Sequence, residues 1–129
     1  MRDLAHNIGA VQAIAPAVQS ATVESDEIDL IGFDSAAVVI STGAIAGSGA
    51  FSAKVQEAEE LDSPPTFTDV AASHLVGTLP ATLEASKVYK QGYIGNCRYI
   101  RVVLTKASGT SIAAGATVIK GNAADRPVS

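Results

Sequence analysis

The sequence has no tryptophan, a single cysteine and few charged residues. Charged residues form 17% of the 129 positions, whereas a typical soluble domain carries about 25%. The lone Cys97 excludes an internal disulfide bond and a cysteine-rich metal site, and we interpret it as a small buried hydrophobe rather than a nucleophile. A chain of this length builds one hydrophobic core, so we expect one domain rather than a multidomain enzyme.

The chain also lacks a basic surface and a long apolar run. Its formal net charge is -4, from 9 Lys and Arg against 13 Asp and Glu, which argues against a basic face that contacts phosphates. No segment approaches the roughly 18 apolar residues that span a membrane. Polar residues from Arg2 to Asn7 also interrupt any signal-peptide core. We therefore expect no nucleic-acid partner, no membrane, and synthesis and assembly inside a cell.

Small residues take the place of the missing charges and aromatic rings. Alanine is the most frequent residue, and 47% of the chain is hydrophobic. Few charges combined with many small apolar residues leave apolar surface facing outward, which is an association hazard for a monomer. The composition therefore predicts that partners cover much of the surface.

Most of the chain shows the pattern of short strands separated by Gly, Ser, Pro and Asn. Residues 36–42 contain a continuous β-branched run that predicts a strand covered on both faces, and residues 99–105 alternate as a half-buried strand does. We predict a hairpin loop over 43–50 and a turn over 108–115. About eight strands at such spacing predict an all-β fold, an antiparallel β-sandwich of jelly-roll-like type.

The first residues form a separate pattern. Leu4, Ile8 and Val11 are spaced as on one face of a short helix that Pro16 would end, but Gly9 makes an extended segment equally compatible. In either form, the apolar side needs a cover, so we predict that Leu4, Ile8 and Val11 contact a neighbouring chain. The predicted organisation is an N-terminal arm (1–17), a β-sandwich domain (18–121) and a C-terminal tail (122–129).

No pattern in the chain predicts catalysis, a cofactor or a metal. His6 and His74 are far apart, and nothing marks a nucleophile beside a base, so we expect that the protein is not an enzyme. Two acidic groups lack the spacing of a calcium-binding loop and are interpreted as solvated rims. These groups are Glu24, Asp26, Glu27 and Asp29, and Glu57, Glu59, Glu60 and Asp62.

The segment 93–102 is the most distinctive part of the sequence. Its Tyr93, Arg98, Tyr99 and Arg101 form either a glycan-binding platform or a set of sheet-packing and subunit-contact residues. Aromatic faces stack on sugar rings and arginines bond hydroxyls, which is the case for the platform. The absence of tryptophan favours the packing interpretation.

Several segments, in order, resemble small virion proteins of tailed phages and of phage-derived gene transfer agents, and most of all head spike base proteins. The resemblance covers nearly the whole chain, and its short motifs mark positions in the fold rather than chemistry. The segments are Met1-Arg2-Asp3-Leu4…Asn7-Ile8-Gly9, Ala15-Pro16-Ala17-Val18, Ile28-Asp29-Leu30-Ile31-Gly32-Phe33-Asp34-Ser35-Ala36, Phe51…Lys54-Val55-Gln56-Glu57, Phe67-Thr68-Asp69-Val70 and Gly92-Tyr93-Ile94-Gly95…Arg98-Tyr99-Ile100-Arg101.

This resemblance implies a structural virion protein that sits on the capsid, at its vertices, as the base of a spike and carries a fibre. Its implied partners are the major capsid protein and the spike fibre protein, with Leu4, Ile8 and Val11 of the arm contacting the capsid or a neighbouring subunit. Further copies of the chain would form a head-to-tail ring, with a pentamer as the natural closure on a fivefold vertex. The implied location is the virion, assembled in the bacterial cytoplasm. A capsid decoration protein and a carbohydrate-binding module for host attachment remain the alternatives.

Overall fold

Strands dominate the secondary structure of the protein. The computed structural model describes residues 3–59 and 67–123, of which residues 122 and 123 are described by their backbone alone. One short 3₁₀ turn, Ala72–His74, lies between strands. The strands are β1 Gly9–Gln19, β2 Val23–Glu24, β3 Ile28–Asp29, β4 Phe33–Ala46, β5 Ala50–Ala58, β6 Thr68–Asp69, β7 Leu75–Val76, β8 Val88–Tyr93, β9 Tyr99–Ser108 and β10 Ser111–Ala123.

The strands form two antiparallel sheets that pack on each other. Sheet A has the order β1-β10-β4-β8-β7, and sheet B has the order β2-β9-β5-β6 with β3 also paired to β9. The predicted all-β antiparallel sandwich is confirmed, while its jelly-roll character stays a prediction. Within the described ranges, no helix has the length and apolarity to cross a membrane.

Alternation along β4 sets the inner face of sheet A. Val38 is 0% and Ile40 is 1% exposed, whereas Val39 between them is half-buried on the other face. Successive side chains of a strand point to opposite faces, so only every second residue of this β-branched run reaches the core. The run is therefore fully covered on one face, rather than on both as its composition predicted.

The core fills the space between the sheets with aliphatic side chains and few rings. Sheet A contributes Val38, Ile40, Ile112 and Val118, and Leu83 from a connecting segment is also only 1% exposed. Sheet B contributes Phe51, Val55, Ile100, Val102 and Leu104. Because these side chains already fill the interior, the domain needs no partner to complete its core.

Tight turns close one end of the sandwich. β4 runs to Ala46 and β10 starts at Ser111, so the loops predicted over 43–50 and 108–115 shrink to short turns. Gly109 has a φ of 81°, and a Cβ at this position would overlap the backbone of Ser48 and Gly49. The close approach of the two turns therefore requires glycine. We call this end the turn end.

The predicted N-terminal arm is wrong for residues 9–17. They belong to β1, which pairs with β10 and places Ile14, 4% exposed, in the core. The extended form is observed there and the helix is not, because pairing with β10 satisfies the backbone along the segment. At the other terminus, β10 extends to Ala123, past the boundary predicted at residue 121, and residues 124–129 of the predicted tail lie outside the described residues.

Candidate functional site

The four residues of the predicted glycan platform do not share one surface. Tyr93 ends β8 facing the interior and is 3% exposed, so its ring is not available for stacking. Tyr99 and Arg101 alternate with core residues of β9 and therefore lie on the outer face of sheet B. Arg98 lies with its guanidinium carbon 5.0 Å from the centre of the Tyr99 ring and covers that ring itself. The joint platform is therefore not formed.

Ion pairs within the chain occupy the arginines of this segment. Arg98 makes a bidentate pair with Asp29, Nε to Oδ1 at 2.8 Å and Nη2 to Oδ2 at 2.7 Å. Arg101 donates to Gln56 at 2.7 Å and pairs with Glu24 at 2.7 Å. These contacts join β3, β2 and β5 to the central strand β9 and to Arg98, the residue that precedes it. The two arginines hold sheet B together, which agrees with the packing interpretation of the segment.

A polar network therefore covers the outer face of sheet B. Lys54 and Asp69 approach to 3.1 Å, and the Gln56 amide donates to the same carboxylate at 2.8 Å. The Arg101 guanidinium carbon also lies 4.5 Å from the centre of the Phe67 ring. Of the predicted acidic rims, Glu24 and Asp29 belong to this network, while Glu60 and Asp62 lie outside the described residues. Three ion pairs on this face, Lys54 with Asp69, Arg98 with Asp29 and Arg101 with Glu24, thus lie within the chain.

The end of the sandwich opposite the tight turns carries a cavity of about 470 Å³. We call it the loop end, and define it by residues 30–35 and 94–98 together with residues 3–8, which lead into β1. Gly9 lies against Phe33, since a Cβ there would approach the ring at 3.1 Å, so the N-terminal segment arrives at this end. The cavity walls come from both loops and include Tyr93, Cys97 and Arg98.

Tyr93 organises the floor of this cavity. Its hydroxyl donates to Oε1 of Glu57 at 2.8 Å and accepts the backbone N–H of Cys97 at 3.1 Å. Glu57 follows the inward-facing residues of β5 in register, which brings its carboxylate to the end of the core. The tyrosine therefore joins sheet A, sheet B and the 94–98 loop through one hydroxyl.

Burial and the Glu57 carboxylate perturb two groups at the cavity. Burial, with the bond to Glu57, raises the pKa of Tyr93 well above its ordinary value. Burial and the same carboxylate raise the pKa of the Cys97 thiol. On the rim, the Arg98 guanidinium holds the pKa of Asp29 below its usual range. Both the tyrosine and the cysteine thus stay protonated near neutral pH and act as hydrogen-bonding groups rather than nucleophiles.

The three predicted contact residues of the N-terminal segment differ in exposure. Leu4 is 57% exposed, Ile8 is half-buried, and Val11 packs against the core of its own domain. The loop end also exposes Ile31 by 64% and Ile94 by 57%. Sequence analysis missed these two isoleucines because each is a lone apolar residue among turn residues, without periodicity to mark it.

The outer face of sheet A forms a second apolar surface. Val18, Val76 and Val88 are its most exposed large side chains, at 69%, 57% and 69%. A shallow groove of about 480 Å³ runs over β10 between β1 and β4. In the register of the sheet, the outward residues are Ala10, Gln12 and Val18 of β1, Ala113, Gly115, Thr117 and Ile119 of β10, Ala37, Val39, Ser41 and Gly43 of β4, Val88, Lys90 and Gly92 of β8, and Val76 of β7.

Comparison with known proteins gives structural similarity at low identity. No family model matches the sequence, and no curated protein matches it. The SPBc2 prophage-derived protein YomS superposes with a TM-score of 0.48 and 15% identity, covering 88% of this chain and 93% of that chain. A chain of infectious bursal disease virus, Gx strain, gives a TM-score of 0.44 and 12% identity, covering 93% of this chain and 33% of that chain. At these scores the similarities carry no argument about function.

Proposed function

We propose that the protein is a structural component of a phage or gene transfer agent particle, seated on the capsid as the base of a spike that carries a fibre. The observation that carries the proposal is the distribution of exposed apolar side chains on a domain whose core is already filled. Among the described residues, the exposed large hydrophobic side chains fall on two separate surfaces. These are Val18, Val76 and Val88 on the outer face of sheet A, and Leu4, Ile31 and Ile94 at the loop end.

Two apolar surfaces on one small domain are typical of a protein that assembles. Covering each such side chain stabilises an assembly by about 1–2 kcal/mol, since full burial of Val, Leu or Ile contributes about 1.5–3 kcal/mol. The outer face of sheet B contrasts with both surfaces because ion pairs within the chain cover it. The resemblance to small virion proteins in the sequence supports the same role, and the proposal assigns the chain no catalytic step.

The proposal assigns a different partner to each surface. The loop end faces the capsid protein, because Leu4 of the predicted contact segment lies there together with Ile31 and Ile94. The outer face of sheet A faces another copy of the chain. The turn end, at the far side of the sandwich, is left to the fibre protein. This arrangement puts the capsid and the fibre about one strand length apart, which suits a spike base.

Incorporation into particles tests the loop-end assignment. Ile31→Asp and Ile94→Asp place charges on exposed positions, so both variants are expected to fold normally and to be lost from purified particles. Ala107→Asp is the matched control, since it puts the same charge on an exposed residue near the turn end and should leave incorporation unchanged. Normal incorporation of both isoleucine variants would show that the capsid binds elsewhere.

The position on the particle separates a spike base from a decoration protein. Electron microscopy of particles with labelled protein is expected to show density at the vertices with fibres attached. Density spread over the whole shell would instead assign a decoration protein. The carbohydrate-binding alternative has no shared surface formed by its four predicted residues, because Tyr93 is buried and Arg98 covers Tyr99. Glycan binding that Tyr99→Ala abolishes would restore it.

A further inference from the structure

The outward residues of sheet A form rows that cross the sheet. The strand register places Ala10, Ile119, Ala37, Gly92 and Val76 in one row across five strands, all of them apolar. A second row consists of Gln12, Thr117, Val39 and Lys90. A third contains Gly115, Ser41 and Val88, with Pro16 of β1 lying over Gly115. The face therefore has small side chains at its centre, and the polar side chains of these rows are Gln12, Thr117, Lys90 and Ser41.

Lys90 is the only charged side chain among the outward residues of sheet A that the structure describes. The equivalent face of sheet B carries the pairs of Asp29 with Arg98, Glu24 with Arg101 and Asp69 with Lys54. Covering sheet A therefore removes apolar surface from water, whereas covering sheet B would also desolvate ion pairs. The outer face of sheet A is therefore suited to burial in an interface, and the outer face of sheet B is not.

The size of the face matches one side of a specific interface. β1, β10 and β4 are 11, 13 and 14 residues long and β8 has 6 residues. With a rise of about 3.3 Å per residue and about 4.8 Å between strands, the face covers about 700 Å². Standard protein interfaces bury about 600–1,000 Å² on each partner. One partner of similar size would cover the whole face.

The rows are complementary to themselves. When a second copy is turned about an axis that runs between β10 and β4 along the strands, β1 faces β8 and β10 faces β4. In the second row, this operation sets Gln12 opposite Lys90, so the lysine meets an amide acceptor and not the lysine of the other copy. In the first row, it sets the large Ile119 opposite the small Ala37. Charge and size thus match in both rows.

We propose that a second copy of this chain covers the outer face of sheet A, face to face and with two-fold symmetry. The proposal rests on the part of the proposed function in which copies of the chain associate through the outer face of sheet A. It adds the symmetry and the register with which the two copies pack. It replaces the head-to-tail ring expected from the resemblance, because a ring would bury the apolar face of one copy against a different surface of the next.

A matched pair of substitutions tests the proposal on the isolated full-length chain. Thr117 and Thr105 are both half-buried and both point outward from a central strand, one on sheet A and one on sheet B. Light scattering after size exclusion is expected to give a dimer for wild type and for Thr105→Arg, and a monomer for Thr117→Arg. Ser41→Glu, at an exposed position of sheet A, should also give a monomer, while Ser52→Glu on sheet B should not.

The outcomes separate this proposal from the proposed function. A monomeric wild type, or a dimer that survives both Thr117→Arg and Ser41→Glu, overturns the sheet A interface. If Thr105→Arg is monomeric as well, and its circular dichroism is unchanged, face-to-face packing is overturned. Sheet A of one copy would then pack against sheet B of the next. None of these results bears on the binding of the loop end to the capsid, which the Ile31 and Ile94 variants measure in particles.

Discussion

The Tyr93→Phe substitution measures how strongly one hydroxyl joins the two sheets at the loop end. Tyr93 is 3% exposed, and its hydroxyl bonds both the Glu57 carboxylate and the Cys97 backbone. Phenylalanine preserves the ring in the core, so the change removes the two hydrogen bonds and little packing. A bond to a charged group contributes about 1.5–3 kcal/mol, and a neutral bond about 1 kcal/mol.

The expected loss of stability lies somewhat below the sum of these two contributions. Glu57 is half-buried and regains a water when the hydroxyl is removed, so we expect the free energy of unfolding to fall by about 2 kcal/mol. A domain of this size loses about 4 °C of Tm per kcal/mol, which predicts a fall of about 8 °C. Urea unfolding followed by far-ultraviolet circular dichroism, at one fixed protein concentration, measures both the midpoint and the slope.

Tyr99→Phe is the matched control. Its ring lies on the outer face of sheet B, and within the described part of the chain its hydroxyl has no hydrogen-bond partner. Its removal should change the free energy of unfolding by no more than about 0.5 kcal/mol. If Tyr93→Phe proves as stable as Tyr99→Phe, the Tyr93 hydroxyl does not hold the two sheets and the 94–98 loop together.

Three further predictions concern the core and its titrating groups. Leu83→Ala should lower the free energy of unfolding by about 3 kcal/mol in the same urea assay, because this side chain is 1% exposed and leaves a cavity. Since the pKa of Tyr93 is raised in the folded state, its contribution to stability is complete below about pH 10, the value in unfolded chains. Stability should therefore fall as the pH rises through that region, and Tyr93→Phe should remove this part of the slope. Burial and Glu57 raise the pKa of Cys97, so Ellman's reagent should modify it more slowly in the native protein than in urea, and equal rates would contradict this.

The alternation of hydrophobic and polar residues predicted the central strands well and their ends poorly. β9 was identified over 99–105 because Ile100, Val102 and Leu104 repeat at every second position, and all three are core residues. The strand continues to Ser108, where the side chains no longer alternate in polarity. Pairing with β5, which extends to Ala50 opposite Ser108, sets that end, and no local pattern in either strand reports it.

Glycine and alanine misled the turn predictions for a physical reason. Gly43 was predicted to begin a loop, but it lies inside β4, where a Cβ would meet the Cβ of Ala113 at 3.2 Å. Ala113 and Gly115 likewise belong to β10. Small residues have low strand propensity by themselves, and here long-range pairing between two long strands overrides that preference. Only the tertiary structure shows that close contact, rather than a turn, requires these small side chains.

The spacing of residues along the sequence could not predict the candidate site, because the chain passes from one sheet to the other within the segment 93–102. Tyr93 and Tyr99 are close in sequence, yet β8 belongs to sheet A and β9 to sheet B, so one ring enters the core and the other faces outward. The ion-pair partners of the arginines, such as Asp29 for Arg98, come from strands that are far away in the sequence. Composition gave the more useful signal, since the scarcity of charge corresponds to the outer face of sheet A.

The proposed pairing has a consequence for attachment to the capsid. An axis that runs along the strands preserves the strand direction, so both loop ends of a dimer point to the same side. The two copies then bind one surface together, and the second contact forms at a high effective concentration. Thr117→Arg should therefore weaken incorporation into particles even though Thr117 lies away from Ile31 and Ile94, while each monomer keeps its own binding end. An unchanged incorporation of Thr117→Arg, once it is shown to be monomeric, would mean that each chain attaches independently.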